Sequence, residues 1–202
     1  MIGRLKHISL TTFITLSIFA LVYTSCKKDT YTYIDECKNV TCQNGGTCFK
    51  GQCSCPAGFE GENCESAWLS RYLGNWQVDE VVSLSNRNGR QGQTSRYNMT
   101  IKKNGGSNTG FLIDNFMGNA DYNNVPCRVA VKQDGGSDSP TNFIFTAQHP
   151  ISNSIIVIEE GDGTVNYLGN VLSGKYTVFY TQLITPDSPI VVRETISFTA
   201  TQ

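Results

Sequence analysis

The sequence predicts a mainly β protein in which a small disulfide-rich module precedes a larger antiparallel β domain, with one short helix between them. Two observations carry this prediction. Six of the eight cysteines fall between Cys37 and Cys64, and eight short runs of β-branched and aromatic residues follow Gly74, separated by turn clusters. A chain of 202 residues has room for one domain of ordinary size and one small domain.

Composition and charge exclude several classes of function. The chain has 16 Lys and Arg against 17 Asp and Glu, and no segment concentrates the basic residues, so we expect no nucleic-acid partner. Of its two histidines, His7 lies in a predicted leader. A His-rich metal site or a Ser-His-Asp triad would therefore depend on His149 alone, and we predict no cofactor and no catalytic residue.

The N-terminus has the layout of an export signal. Arg4 and Lys6 precede a mostly apolar run over residues 8–23, and Thr24 and Ser25 follow it. The run is shorter than the roughly 20 apolar residues that a membrane-spanning helix needs. We therefore predict a signal peptide over residues 1–25.

The end of this signal resembles the lipobox of bacterial lipoproteins. Residues 21–26 read LVYTSC, and the run SCKKD over residues 25–29 is common in lipoproteins of one Gram-negative group. The resemblance implies cleavage before Cys26, lipidation of Cys26, a tether over residues 26–32 and an outer-membrane location in the cell envelope. Acyl chains on Cys26 would supply the two signals that stable anchoring needs. The alternative is an ordinary secretory signal with a cysteine near its end.

A dense group of cysteines follows the tether, with the spacing C-x4-C-x5-C-x4-C-x-C-x8-C. A segment this short cannot bury enough apolar surface to offset its chain entropy. In an oxidising compartment we therefore expect three disulfides to stabilise it, and the spacing alone leaves their connectivity open. Zinc is the alternative, but zinc sites favour C-x2-C pairs, and an exported chain meets oxidants first.

The residues between these cysteines are similar to those of EGF-like domains. The matching segments are NGGTC at residues 44–48 and CSCPAGFEGENC at residues 53–64, and the resemblance covers residues 33–65. It implies the bridges Cys37–Cys48, Cys42–Cys53 and Cys55–Cys64. In calcium-binding members acidic ligands precede the first cysteine, as Asp35 and Glu36 do here. Because Tyr33 stands where a further acidic ligand is needed, we predict no complete metal site.

The remaining residues predict one short helix and a series of strands. Apolar residues recur at helical spacing over residues 66–73, with Ser66 and Gly74 at the two ends. Candidate strands follow at residues 77–84, 95–102, 110–117, 126–132, 142–148, 154–160, 175–183 and 190–200, and Asp162-Gly163 predicts a hairpin tip. Strands at this spacing without helices between them indicate an antiparallel sandwich or an up-and-down barrel.

The start of the β domain favours the barrel. Gly74-Asn75-Trp76 resembles the G-x-W element that opens lipocalins, in which the tryptophan closes one end of the barrel and a late arginine packs on it. The resemblance implies a lipocalin-like barrel of about eight strands over residues 66–202, closed by Trp76 with Arg193 over its ring. The mature chain is also similar to lipoproteins of the same bacterial group that join an EGF-like domain to a β-barrel.

Cys127 is left over when Cys26 carries lipid and six cysteines pair. It stands in an alternating apolar run, so we predict a buried, unreactive thiol. If Cys26 is not lipidated, a Cys26–Cys127 bridge in a secreted protein is the alternative.

We expect a non-catalytic binding protein that a lipid anchor holds at the membrane. Its partner would be a small apolar ligand inside the barrel, or a glycan or protein on its surface. The EGF-like module would act as a rigid spacer or an interaction module. The alternatives are a structural or adhesive surface protein with a filled barrel, and an enzyme that uses carboxylates or His149.

Overall fold

The computed structural model describes residues 35–129, 139–152, 154–185 and 188–202. The predicted signal peptide, Cys26 and the tether lie outside these residues. From Glu36 onward the described chain belongs to one compact unit. No helix in these ranges has the length and apolar character to cross a membrane.

The disulfide-rich module contains a short antiparallel hairpin and leads into the barrel through a second pair of strands. The hairpin joins β1 (Thr47–Phe49) to β2 (Gln52–Ser54), and β3 (Phe59–Glu60) pairs with β4 (Ser66–Ala67). Disulfides join Cys37 to Cys48, Cys42 to Cys53 and Cys55 to Cys64. These are the three pairs that the EGF-like resemblance implies.

A 3-10 helix over Trp68–Arg71 connects the module to the barrel. It is shorter than the helix predicted over residues 66–73, and Ser66 does not cap it. Ser66 lies opposite Glu60 in the β3–β4 pair, and this extended pairing delays the start of the helix. Trp68 and Leu69 are buried, so the helix still presents the expected apolar face.

Eight strands form the larger domain, and each is antiparallel to the next. Strand β12 pairs with β5 and closes the barrel, which confirms the predicted eight-stranded up-and-down barrel and excludes the sandwich. The strands are β5 (Gly74–Ser85), β6 (Thr94–Lys103), β7 (Gly110–Asp114), β8 (Val125–Val129), β9 (Asn142–Phe145), β10 (Val157–Val165), β11 (Val171–Thr185) and β12 (Ser188–Thr201).

The strand bounds differ from the predicted ones by up to five residues, and two of the differences have a clear physical reason. Strand β10 continues through Asp162 and Gly163, where a hairpin tip is predicted, because both residues pair with β11. The turn falls instead over residues 166–170, where Gly169 has a φ of 70°. Strand β7 ends at Asp114, since Asn115 adopts a left-handed φ of 59° and precedes a second 3-10 helix (Phe116–Gly118).

Aromatic side chains fill the barrel interior. The rings of Phe143 and Phe145 lie 5.7 Å apart, and the ring of Tyr176 lies 5.6 Å from Phe145 and 4.9 Å from Phe116. Glycine makes room for them, because a Cβ on Gly163 would come within 2.4 Å of the Phe143 ring. The cavity that remains among these rings measures about 10 Å³, which is about the space of one water molecule.

The disulfide-rich module packs against one end of the barrel. The Trp68 amide donates a hydrogen bond of 2.9 Å to the Gly58 carbonyl, and the Arg71 guanidinium pairs with the Glu60 carboxylate. Gly58 also lies against Asn108, in the turn between β6 and β7. We call the other end of the barrel the distal end. Of the described residues it comprises 86–93, 115–124, 146–152 and 154–156 and the last residues of β11 and the first of β12.

Candidate functional site

A carboxylate lies inside the barrel near its distal end. In β5, alternate residues point inward, and Glu80 follows Trp76 and Val78 on this buried face with 7% of its surface exposed. The hydroxyls of Tyr97 and Tyr176 donate hydrogen bonds of 2.5 and 2.7 Å to its Oε1 atom. The Ser95 hydroxyl donates a longer bond of 3.3 Å to Oε2.

Burial sets the protonation behaviour of this group. Loss of solvent raises the pKa of Glu80 above its usual range, and the three hydroxyl donors only partly oppose that shift. Burial also raises the pKa values of Tyr97 and Tyr176, and the neighbouring Glu80 carboxylate adds to both shifts. No positively charged side chain contributes to the pKa shift of Glu80, so a cation would lower that pKa.

A second buried carboxylate lies beside it on β12. Glu194 is 2% exposed and is held by Arg90 through a bidentate pair, with Nε 2.8 Å from Oε1 and Nη2 2.9 Å from Oε2. The Ser85 hydroxyl donates a further bond of 3.1 Å to Oε1. Hydrogen bonding to Arg90 lowers the pKa of Glu194, which therefore stays ionised at neutral pH.

These groups line a cavity at the distal end, which we call the polar chamber. Its volume is about 160 Å³, enough for several water molecules. The polar lining consists of Glu80, Arg90, Gln93, Ser95 and Glu194, and the apolar lining of Val82, Met117 and Ile196. The chamber and the filled interior meet at Glu80, which lines both.

Met117 reaches the chamber from a strained segment. Its φ is 57° and its ψ is 22°, and Asn115 two residues earlier has a φ of 59°. A left-handed conformation costs a residue with a Cβ about 1 kcal/mol or more. Gly118 permits the close approach that follows, because a Cβ there would lie 3.1 Å from the Tyr97 ring. The segment therefore packs directly over the Glu80 hydrogen-bond network.

Comparison of the chain with models of known protein families, with curated proteins and with solved structures finds no significant match. The function of the polar chamber must therefore be inferred from its own residues. Its lining combines five polar or charged side chains with three apolar ones.

The structure corrects the predicted closure of the barrel by Trp76 and Arg193. Trp76 is buried next to Gln77, which pairs with Thr201, whereas Arg193 lies beyond the Ser85–Glu194 pair. The two residues are thus at opposite ends of the β5–β12 pair. Arg193 forms an ion pair of 2.6 Å with Glu159 instead of covering the Trp76 ring.

The other predicted residues lie apart from the chamber. Cys127 is a free, buried thiol on β8, as its alternating run predicts. His149 is exposed, with Nδ1 3.0 Å from the Ser154 carbonyl oxygen. Asp35 and Glu36 begin the described chain, in which no three His, Cys, Asp or Glu side chains are grouped to hold a metal ion. The absence of calcium at these two residues stays a prediction.

The residues of the chamber are not among those predicted from the sequence, although a signal for two of them exists. Glu80 is in phase with the apolar residues Val78 and Val82, and Glu194 is in phase with Ile196. A charged residue on the apolar face of a predicted strand indicates a buried carboxylate. No comparable pattern marks Arg90, which reaches Glu194 from a loop.

Proposed function

We propose that the chain is a lipid-anchored protein of the bacterial cell envelope that binds its ligand, without catalysis, at the distal end of the barrel. The observation that carries this proposal is the contrast between two cavities. The interior leaves about 10 Å³, whereas the polar chamber at the distal end has about 160 Å³.

The filled interior argues against the apolar ligand that an empty barrel would hold. A cavity that holds a molecule of about six non-hydrogen atoms measures about 150 Å³, and the space among the interior rings is far smaller, about 10 Å³. Rings such as Phe143 and Phe145 would have to leave the core to admit a ligand. Of the two alternatives for the barrel, the geometry favours a filled scaffold that binds at its end or on its surface.

The EGF-like module fits the role of a rigid spacer between a lipid on Cys26 and the barrel. Three disulfides cross-link it over sequence separations of 9 to 11 residues. Backbone hydrogen bonding of Trp68 to Gly58 and the Arg71–Glu60 ion pair hold it against the barrel. A module held in this way would move little relative to the barrel.

A macromolecular partner is a second candidate ligand, because the distal end exposes apolar side chains. Leu84, Leu183 and Val191 are each at least 60% exposed. All three lie on the outer face of neighbouring strands, since Leu84 pairs with Thr195 and Leu183 with Pro189. Such a surface suits a protein or glycan partner in the adhesive alternative.

The anchor is tested by fractionating cells of a Gram-negative host that express the full chain. We expect the wild-type chain in the membrane fraction, with a mass that corresponds to acylated protein starting at Cys26. The Cys26→Ala variant should leave the membrane fraction, and the matched Cys127→Ala variant should stay in it. A wild-type chain without acyl groups, or a Cys26→Ala chain that still fractionates with membranes, would contradict the anchor.

The binding site is tested by hydrogen–deuterium exchange of the purified full chain. The chain is mixed in turn with the small-molecule fraction and the macromolecular fraction of a cell-envelope extract from the Gram-negative host. Protection by the small-molecule fraction at residues 86–95 and 115–124 would support the chamber. Protection by the macromolecular fraction around Leu183 and Val191 would support the adhesive alternative. Protection confined to the turn over residues 166–170 at the module-side end, or none with either fraction, would contradict binding at the distal end.

A further inference from the structure

We propose that the polar chamber binds the ammonium group of a small organic amine between the Glu80 carboxylate and the Ser95 hydroxyl. This inference rests on the proposed function, since it names the chemical class of ligand that the distal end takes. It follows from the charges, the free hydrogen-bonding capacity and the size of the chamber.

The charges of the lining favour a cationic ligand. Two carboxylates, Glu80 and Glu194, face the chamber together with one guanidinium, that of Arg90. Both oxygens of Glu194 are paired with Arg90, and Nη1 of Arg90 donates a bond of 2.5 Å to Gln93. Three of the five guanidinium N–H groups are thus engaged and Glu194 balances the charge of Arg90, so Glu80 is the chamber carboxylate without a cation among the described residues.

The free hydrogen-bonding capacity points to the same residue. Tyr97 and Tyr176, which line the filled interior, both donate to Oε1 of Glu80. Within the described part of the chain, only Ser95, which lines the chamber, donates to Oε2, at 3.3 Å. A carboxylate oxygen accepts more than one hydrogen bond. An ammonium group, with three donors, would find acceptors in Oε2 of Glu80 and in the Ser95 hydroxyl.

The size of the chamber and its apolar side chains indicate what the rest of the ligand would be. A cavity of about 150 Å³ holds a molecule of about six non-hydrogen atoms, and the chamber has a similar volume of about 160 Å³. Val82, Met117 and Ile196 line it on the apolar side. The unbranched thioether of Met117 adapts to alkyl groups of different shape. A short alkylammonium therefore matches the chamber in charge and in volume.

Two other classes of ligand fit the chamber less well. An anion would need a cation whose charge is not balanced, but the charge of Arg90 is already balanced by Glu194, and the Glu80 carboxylate would repel an anion. Calcium takes six to eight oxygen ligands, several of them from carboxylates, whereas the described chain groups no three His, Cys, Asp or Glu side chains. Glu80 and Ser95 each offer an acceptor with spare capacity. A monoammonium ion needs no more acceptors than these.

The test is isothermal titration of the purified full chain with three ligands of the same length, at about pH 8, where an alkylammonium keeps its proton. The ligands are butylammonium, butan-1-ol and butyrate. We expect butylammonium to bind with 1:1 stoichiometry, butan-1-ol to bind at least tenfold more weakly and butyrate not to bind. Equal binding of the alcohol, tighter binding of butyrate, or no heat from butylammonium would overturn the proposal.

A variant locates the site. Glu80→Gln keeps an oxygen that accepts from the tyrosines but removes the charge, and it should weaken butylammonium binding about tenfold or more. Glu160→Gln is the matched control, because Glu160 is exposed on the outer face opposite Thr177 and should leave binding unchanged. Circular dichroism melting shows whether each variant folds. If Glu80→Gln does not fold, Ser95→Ala replaces it, and unchanged binding in a folded variant overturns the site.

The proposed function and this inference fail in different ways. In one outcome the envelope extract protects the distal end from exchange in both the wild type and Glu80→Gln, and butylammonium does not bind. That outcome would overturn the proposal of an amine ligand but would leave the proposal of binding at the distal end. In the other outcome butylammonium binds, but neither extract fraction protects the distal end from exchange. That outcome would overturn the proposed function but would leave the proposal that the chamber binds an ammonium group.

Discussion

The indole Nε1 of Trp76 donates a hydrogen bond of 2.8 Å to the backbone carbonyl of Tyr72, and both side chains are buried. The Tyr72 ring in turn stacks on Phe111 with ring centroids 5.2 Å apart. Its hydroxyl donates to the Pro140 carbonyl at 2.9 Å. At this end of the barrel Trp76 is thus held by Tyr72 and not by Arg193.

Trp76→Phe should destabilise the fold by about 1–3 kcal/mol, because the buried Tyr72 carbonyl loses its donor. Urea denaturation measures the change in the free energy of unfolding. The control is Arg193→Ala, which removes only an exposed ion pair with Glu159 and should cost at most about 1 kcal/mol. A larger loss in Arg193→Ala than in Trp76→Phe would instead support the closure that the lipocalin resemblance implies.

Arg90→Ala should cost about 3 kcal/mol, since it leaves the Glu194 carboxylate buried without its partner. That is the low end for a buried pair, because the Arg90 side chain is 32% exposed. The double variant Arg90→Met, Glu194→Leu removes both charges and should recover most of the loss. Urea denaturation of the three chains checks this. A double variant no more stable than Arg90→Ala would contradict it.

The sequence predicts those parts of the structure that are determined by residues close together along the chain. The alternation of Trp76, Val78 and Val82 and the turn residues at Asn104 and Gly105 are local, and they predict the strands. The position of the β10–β11 turn depends instead on contacts between strands, because Gly163 pairs with Gly174 only when the two strands meet.

The chamber could not be predicted because it depends on closure of the barrel. Glu194 meets Ser85 only where β12 pairs with β5, which are 109 residues apart in sequence at that point. Register shifts there, between Thr195 and Ile196, and this irregularity decides which side chains enter the chamber. Arg90 comes from a loop, where no periodicity marks an inward residue.

Glu80 should make stability fall as pH rises. The unfolded chain releases the proton near the ordinary pKa of about 4.3, whereas burial keeps it on the folded carboxyl to a higher pH. Between the two pKa values the folded state binds more protons, so the free energy of unfolding falls with rising pH.

The difference in stability between wild type and Glu80→Gln isolates this effect, because the other titrating groups cancel. Urea denaturation at about pH 4, 6 and 8 should show the wild type losing stability relative to the variant, by at most about 1.4 kcal/mol per pH unit. Glu160→Gln, at an exposed position, serves as the control. A constant difference across the range, or a wild type that gains relative to the variant, would contradict the raised pKa.

Cys127 should be unreactive until the barrel unfolds. It is 5% exposed on β8, and burial raises the pKa of its thiol well above the usual range, so little thiolate forms. A thiol reagent without reductant should label no site in the native chain and one site per chain in denaturant, if Cys26 carries lipid. No labelling in denaturant would indicate the Cys26–Cys127 bridge, and rapid labelling of native Cys127 would contradict its burial.

Gly163→Ala should destabilise the barrel by about 1–3 kcal/mol, as overpacking of a filled core does. A Cβ there would lie 2.4 Å from the Phe143 ring and 2.7 Å from the Ser173 carbonyl oxygen, and the backbone oxygen cannot move aside cheaply. Gly106→Ala is the matched control, because a Cβ at Gly106 meets nothing within 4 Å and should change stability by less than about 1 kcal/mol. Thermal and urea denaturation of both variants measure the difference. If Gly163→Ala proved as stable as Gly106→Ala, the interior would have free space, and an apolar ligand inside the barrel would again be admissible.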